Sequence, residues 1–385
     1  MYAMSNNYLP EIFETFNDAR KKGFITMKEE KDKGKKVVGT FCTYTPREVI
    51  YAADAIAVSL CSTSDETIPE AEKYLPKNLC PLIKSSYGFA VTDKCPYMYF
   101  SDIIVGETTC DGKKKMYELL GEIKDTHVMQ LPYSKNEFAV ALWKNEIKEL
   151  IKKLEEKFNV KITEDKLKDA IKLCNEERKV IREFFNLGKL VPSPIKGSDM
   201  HEALQSSNYK FDRKLYIEEI KNLVDTFNDK YKKGESPFNK NTPRILITGC
   251  PTGGLVEKIV KQLEEVGGNV VCFESCVGTK NFEMLVDENK EPIEAIAERY
   301  LNIPCSVMSP NNERMEIIKR YIDEYKIDGV VDVILSSCHT YAVEGEKIRR
   351  TVEECGKSYL QIETNYSNSD TAQLRTRLEA FVEML

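Results

Sequence analysis

The sequence predicts an α/β protein built from two pseudo-repeated, doubly wound parallel-sheet domains joined by a helical connector. Three observations carry that expectation. The chain has 385 residues, more than one core usually holds. Short apolar runs alternate with helical patterns in both halves. The second half restarts the order of the first. The expected boundaries are 1–145 for the first domain, 146–239 for the connector and 240–385 for the second domain.

In the first half, Lys36–Phe41 (KVVGTF) reads as a strand, and a helix is expected from Pro46 to Asp54. Further strands are expected at Ala55–Leu60, Ser101–Val105 and His127–Leu131. Apolar runs of this length between helical patterns indicate parallel strands covered on both faces. From about Phe138 to Lys233, stretches such as EIKELIKKLEEKF carry apolar residues at i, i+3, i+4 and i+7, the mark of amphipathic helices. The strand pattern then returns at Arg244–Thr248, Asn269–Phe273, Gly329–Ile334 and Tyr359–Ile362, and a helix from Asp370 to Leu385 follows. Local sequence repeats as well: Tyr74-Leu75 precedes Cys80, and Tyr300-Leu301 precedes Cys305.

Composition narrows the function. Apolar residues make up 42%, which argues against disorder, and interleaved Lys and Glu fit a salt-bridged surface. A net charge of −6 gives no footprint for nucleic acid. No apolar run reaches the length of a membrane span, and Met1–Phe24 lacks the layout of a secretion signal. The expectation is a cytoplasmic protein that binds neither nucleic acid nor membrane.

Twelve cysteines stand against one tryptophan. Reduced cytosolic thiols make a disulfide framework a poor account, and the C-x2-C pairs of zinc sites are missing. Any single cysteine is most often a small buried hydrophobe. Placed on the repeat, however, eight of them pair: Cys42 with Cys250, Cys61 with Cys276, Cys80 with Cys305, and Cys110 with Cys338. Each falls past the carboxyl end of a parallel strand, where open α/β sheets bind ligands. Cys174 and Cys272 lie inside a helix and a strand, Cys355 looks incidental, and Cys95 has no counterpart.

Soft thiolates from two facing domains suit an iron–sulfur cluster. Gly249, Gly253, Gly254, Gly106 and Gly112 let backbone approach the cysteine loops, and helix N-termini favour thiolate. His339, Glu107 and Glu363 are candidate proton carriers; the plainer alternatives are a backbone-bonded histidine and helix-capping carboxylates. The Lys113–Lys115 run reads as a solvated face, or as a docking patch for an acidic electron donor. Gly106 to Lys114 departs from the phosphate-loop spacing, so no nucleotide loop is assigned.

The segments FCTYTPREVIYAADA, VSLCSTSDETIPEAEKYLPKNLCPLIKSSYGFA, DKCPYMYFSDIIVGETTCDGKKKMYE and VILSSCHTYAVE resemble the double-cubane cluster proteins. These are a branch of the 2-hydroxyacyl-CoA dehydratase and benzoyl-CoA reductase superfamily, and the likeness extends over nearly the whole chain. It implies a homodimer of anaerobic metabolism with an iron–sulfur site between two α/β domains. In the dehydratase branch one [4Fe–4S] cluster is held by three cysteines, which by position resemble Cys80, Cys110 and Cys338. In the double-cubane branch an [8Fe–9S] unit needs six. The resemblance leaves Cys42, Cys276 and Cys305 as the favoured remainder, with Cys61, Cys250 and Cys95 in reserve. It also implies a separate ATP-hydrolysing iron–sulfur activator as electron donor, and ATP-dependent reduction of a small molecule. The alternatives are a dehydratase subunit with a single [4Fe–4S] cluster, and an iron–sulfur electron-transfer protein.

Overall fold

The structure is a computed structural model that describes Leu9 and residues 19 to 385. The expectation for Met1–Phe24 therefore lies mostly outside the described residues. After helix α1 (Ala19–Asp32), the first sheet contains β1 (Lys36–Thr40), β2 (Ala55–Ser59), β3 (Ile103–Glu107) and β4 (Thr126–Met129). All pair in parallel, in the order β2-β1-β3-β4. Between them come α2 (Arg47–Ala52), α3 (Ile68–Ala71), α4 (Pro81–Val91), α5 (Pro96–Phe100) and α6 (Asp111–Gly121). The second sheet repeats the plan with β5 (Arg244–Gly249), β6 (Asn269–Glu274), β7 (Gly329–Leu335) and β8 (Ser358–Thr364), in the order β6-β5-β7-β8. The two-sheet parallel fold is as the sequence predicts. In each sheet the winding reverses between the first and third strands, which opens a crevice at their carboxyl ends.

Between the sheets run α7 (Glu137–Phe158), α8 (Glu164–Phe185), α9 (Gly197–Ser206) and α10 (Arg213–Lys232). Helix α7 crosses residue 145, so the change from sheet to helices falls at Glu137. Asn136 caps α7 by accepting the Ala139 N–H, and Asn159 ends it in the left-handed conformation at φ 52°. Trp143, Ile147, Leu150 and Leu154 recur at helical spacing and are fully buried. They belong to one continuous apolar core that also takes in the connector helices and residues of both sheets. A second core lies on the other face of the first sheet, where Val37, Ile56 and Ile104 meet Met27, Ile83, Tyr87 and Met116. Among the described residues no helix is long and apolar enough to cross a membrane.

Candidate metal centre

Residues just past the strand ends of both sheets line one cavity of about 650 Å³. All eight of the paired cysteines are in its wall: Cys42, Cys61, Cys80, Cys110, Cys250, Cys276, Cys305 and Cys338. Cys42 and Cys110 follow β1 and β3, and Cys250 and Cys338 follow β5 and β7, so each sheet's crevice contributes two. The remaining four come from the loops after β2 and β6 and from those beyond the next helices. None of the eight is disulfide-bonded.

Local backbone chemistry aims these thiols. Cys80 precedes Pro81 at the first turn of α4, and proline there needs no N–H partner. Cys110 caps α6, its Sγ accepting the Lys113 N–H at 3.5 Å. Ser337 adopts a left-handed φ of 63° and turns the chain into Cys338, which opens the helix α11 (His339–Glu354). Gly249 has φ 107°, and a Cβ there would lie 2.2 Å from the Val333 carbonyl oxygen. Only glycine fits that approach. It lets the Cys250 N–H reach the Val333 carbonyl at 2.7 Å while Cys250 Sγ accepts the Leu335 N–H at 3.3 Å. Gly254 permits a second close approach, this time between the halves: a Cβ there would meet the Thr63 carbonyl oxygen at 2.1 Å.

The thiols fall into two sets. Cys80 is within hydrogen-bonding reach of Cys338, and Cys338 of Cys250. Cys276 and Cys305 stand close enough to act on Cys42, and Cys305 acts on Cys276. Cys61 lies between the sets, sensing Cys80 and acting on Cys276. Burial pushes the Cys276 thiol up to about 11 and raises Cys42 and Cys61. The Cys80 thiol is raised first by its bond with Cys338, and Cys338 first by its bond with Cys250. Left to themselves these groups are thiols, so a cation that binds them must displace protons. Among the described residues no three His, Cys, Asp or Glu side chains converge to hold a single metal ion. The thiols instead ring a space, and soft donors in that arrangement fit a polynuclear iron–sulfur group.

Two buried side chains bring charge to the wall. Lys113 is 8% exposed, and its Nζ donates to the Phe41 carbonyl at 2.9 Å. Burial opposes its charge, but Tyr117, Cys61, Cys42 and Glu107 outweigh that and hold the ammonium protonated. Glu107 is fully buried and accepts the Thr45 hydroxyl. Burial lifts it to about 7, against the opposing pull of Thr45 and Lys113.

A family model described as 2-hydroxyglutaryl-CoA dehydratase, D-component, matches residues 42–385. The chain belongs to this dehydratase family. It is 51% identical to YjiM of Escherichia coli K12, provisionally named a dehydratase subunit, over 98% of each chain. It is 26% identical to the (R)-phenyllactyl-CoA dehydratase beta subunit of Clostridium sporogenes, over 99% of this chain and 100% of that one. One of the benzoyl-CoA reductase polypeptides of Thauera aromatica is 19% identical over 93% of this chain and 92% of its own. These relatives are dehydratases and reductases, and this chain is an enzyme of dehydratase-like type.

Against that family background, the proton-carrier candidates separate. His339 is exposed at the mouth of the cavity. Glu107 is sealed one layer behind the wall, reaching it through Thr45. Glu363 does not face the cleft as expected: it is exposed on the edge strand β8, where alternate side chains point to solvent. Cys95 caps α5, its Sγ accepting the Met98 N–H at 3.5 Å, and lies outside the lining. Cys174 and Cys272 are buried in α8 and β6. The Lys113–Lys115 run is not a solvated face throughout: Lys114 and Lys115 are exposed, but Lys113 points inward. Lys113 and Tyr341 also line the cavity, and the sequence reading did not single them out for the site. Each lies three residues after a cavity cysteine at a helix start, the spacing that puts both on one face.

Proposed function

We propose that this dehydratase-family chain is a low-potential reductase whose cavity carries an [8Fe–9S] double cubane. The observation that supports it is that six of the eight cavity thiols group by threes, Cys42 with Cys276 and Cys305, and Cys80 with Cys338 and Cys250. Cys42, Cys276 and Cys305 would hold one cubane. Cys80 and Cys338 would hold the other, with Cys110 by resemblance or Cys250 by contact as the third ligand. The group would supply one-electron reducing power. The chain's own part is to bind, orient and charge-balance it. Lys113 places an ammonium near Cys42 and Cys61, Thr45 connects buried Glu107 to the cavity, and His339 stands at the mouth as a second proton carrier. The reading includes a cytoplasmic homodimer supplied with electrons by a separate ATP-hydrolysing iron–sulfur activator. It leaves the small-molecule substrate open.

The second reading is a dehydratase subunit with a single [4Fe–4S] cluster, favoured by the relatives whose names are those of dehydratase subunits. Anaerobic iron and sulfide analysis separates the two. About eight irons per chain supports the double cubane, and about four supports the single cluster. Cys338→Ala and Cys305→Ala should both lose iron under the first reading. Under the second, Cys305→Ala should keep it. Comparing Cys110→Ala with Cys250→Ala identifies the sixth ligand.

A further inference from the structure

The two thiol sets meet different surroundings. On the side of Cys42, Cys276 and Cys305 there are two buried ammonium groups. Lys113 acts on Cys42 and Cys276, and Lys280 acts on Cys276. The Lys280 side chain is 0% exposed; its Nζ lies 3.1 Å from Glu274 Oε1 and donates to the Tyr341 hydroxyl at 3.0 Å. The Tyr341 hydroxyl in turn lies 3.4 Å from Cys305 Sγ. An ammonium has no lone pair, so the phenol oxygen must accept from Lys280. The one phenol proton is then free to point at Cys305, and a ligating thiolate is its acceptor. Glu274 is engaged from the other side by Arg314 at 2.7 Å, which fixes Lys280 in place.

Around the other set, no lysine is among the groups that bear most on the thiols. The groups bearing most on Cys80 and Cys338 are each other, Cys250 and backbone N–H groups of Leu82, Ile83 and Tyr341. Cys250 takes the Leu335 N–H. The buried Tyr366 hydroxyl is near this set; the buried Lys258 ammonium beside it is spent on the Asn365 carbonyl at 3.1 Å, the Ser367 carbonyl and Asp370.

We propose that the two cubanes are electrostatically unequal, and that the one held by Cys42, Cys276 and Cys305 accepts the first electron. The inference rests on the double-cubane reading above. Positive charge and hydrogen bonds to ligand sulfur stabilise the reduced, more negative form and raise its potential. The electron comes from a one-electron iron–sulfur donor, or from dithionite in the test, and resides on the cluster without a bond being made or broken. Tyr341 is thus a positioning residue that acts through Cys305.

The test is an anaerobic potentiometric titration of the loaded protein followed by electron paramagnetic resonance, with iron counted in each sample. Variants are Tyr341→Phe and Lys113→Met, with Tyr366→Phe as the probe of the opposite side. Lys113→Met leaves the Phe41 carbonyl with the Cys61 thiol as donor at 2.9 Å, so no buried acceptor is orphaned. Tyr341→Phe and Lys113→Met should each move the higher couple to more negative potential, leave the lower couple in place and keep wild-type iron. Tyr366→Phe should move only the lower couple. Wild-type iron with an unmoved higher couple, or with the lower couple moved by Tyr341→Phe, overturns the inference. About four irons and a single couple in the unaltered protein would instead overturn the double-cubane reading itself.

Discussion

Replacing Glu177 by Gln should destabilise the protein by about 3 kcal/mol at neutral pH, by two independent routes. Glu177 is fully buried in α8, and its carboxylate serves two guanidinium groups. Arg213 approaches at 2.7 Å and Arg47, a residue of the cavity wall, at 3.1 Å. Burial works against the charge, but Arg213 and Arg47 outweigh it and bring the carboxyl from 4.5 down to about 2. A displacement of that size corresponds to about 3 kcal/mol. Removing one partner of a buried ion pair costs about 3–5 kcal/mol, because the remaining charges are left uncompensated. For a depressed carboxyl, the contribution is complete above the unfolded value of 4.5 and is lost as pH falls towards 2. Anaerobic guanidinium unfolding of both proteins, followed by circular dichroism, measures the difference. The gap should be full at pH 7 and shrink as the pH is lowered below 4.5. A Glu177→Gln midpoint equal to wild type at pH 7, or a gap that does not narrow in acid, would refute the assigned role of the two arginines.

Two other outcomes are expected. His201 is buried, and desolvation lowers it from 6.5 to about 4. The unfolded chain therefore takes up this proton first, and stability should fall by up to about 3 kcal/mol between those pH values; a His201→Gln chain should show a flatter pH profile of unfolding midpoints. Gly254→Ala pushes a Cβ against the Thr63 carbonyl, so it should cost about 1–3 kcal/mol. It should also speed alkylation of the cavity cysteines, measured by mass spectrometry.

The strands were legible because buried parallel strands read as short, nearly continuous apolar runs, and KVVGT, RILITG and GVVDVIL do so. The cavity cysteines were legible for a topological reason, since a repeat of β-α units returns equivalent loops to equivalent strand ends. Glu363 misled because strand-end position says nothing about which face an edge-strand side chain takes. Lys113 was hidden inside a lysine run, where three like residues look alike although successive helix positions turn about 100°. Lys280 and Glu274 gave no local signal. Their role arises from Tyr341 and Arg314, which are far away in sequence and come together only in the folded second half.

The two halves are fastened at loops on the cavity rim. Gly254 presses on Thr63, and the Ser309 N–H bonds the Tyr133 carbonyl at 2.7 Å. Each half alone therefore has only part of the cavity wall, with four of its eight thiols. During synthesis, Cys42, Cys61, Cys80 and Cys110 leave the ribosome long before their counterparts exist. Any group bound by thiols of both halves has to wait until the β5–β8 unit has folded against the first. Over that interval the early thiols are open to oxygen and stray metal, a period of chemical vulnerability that lasts as long as translation of the connector and second sheet.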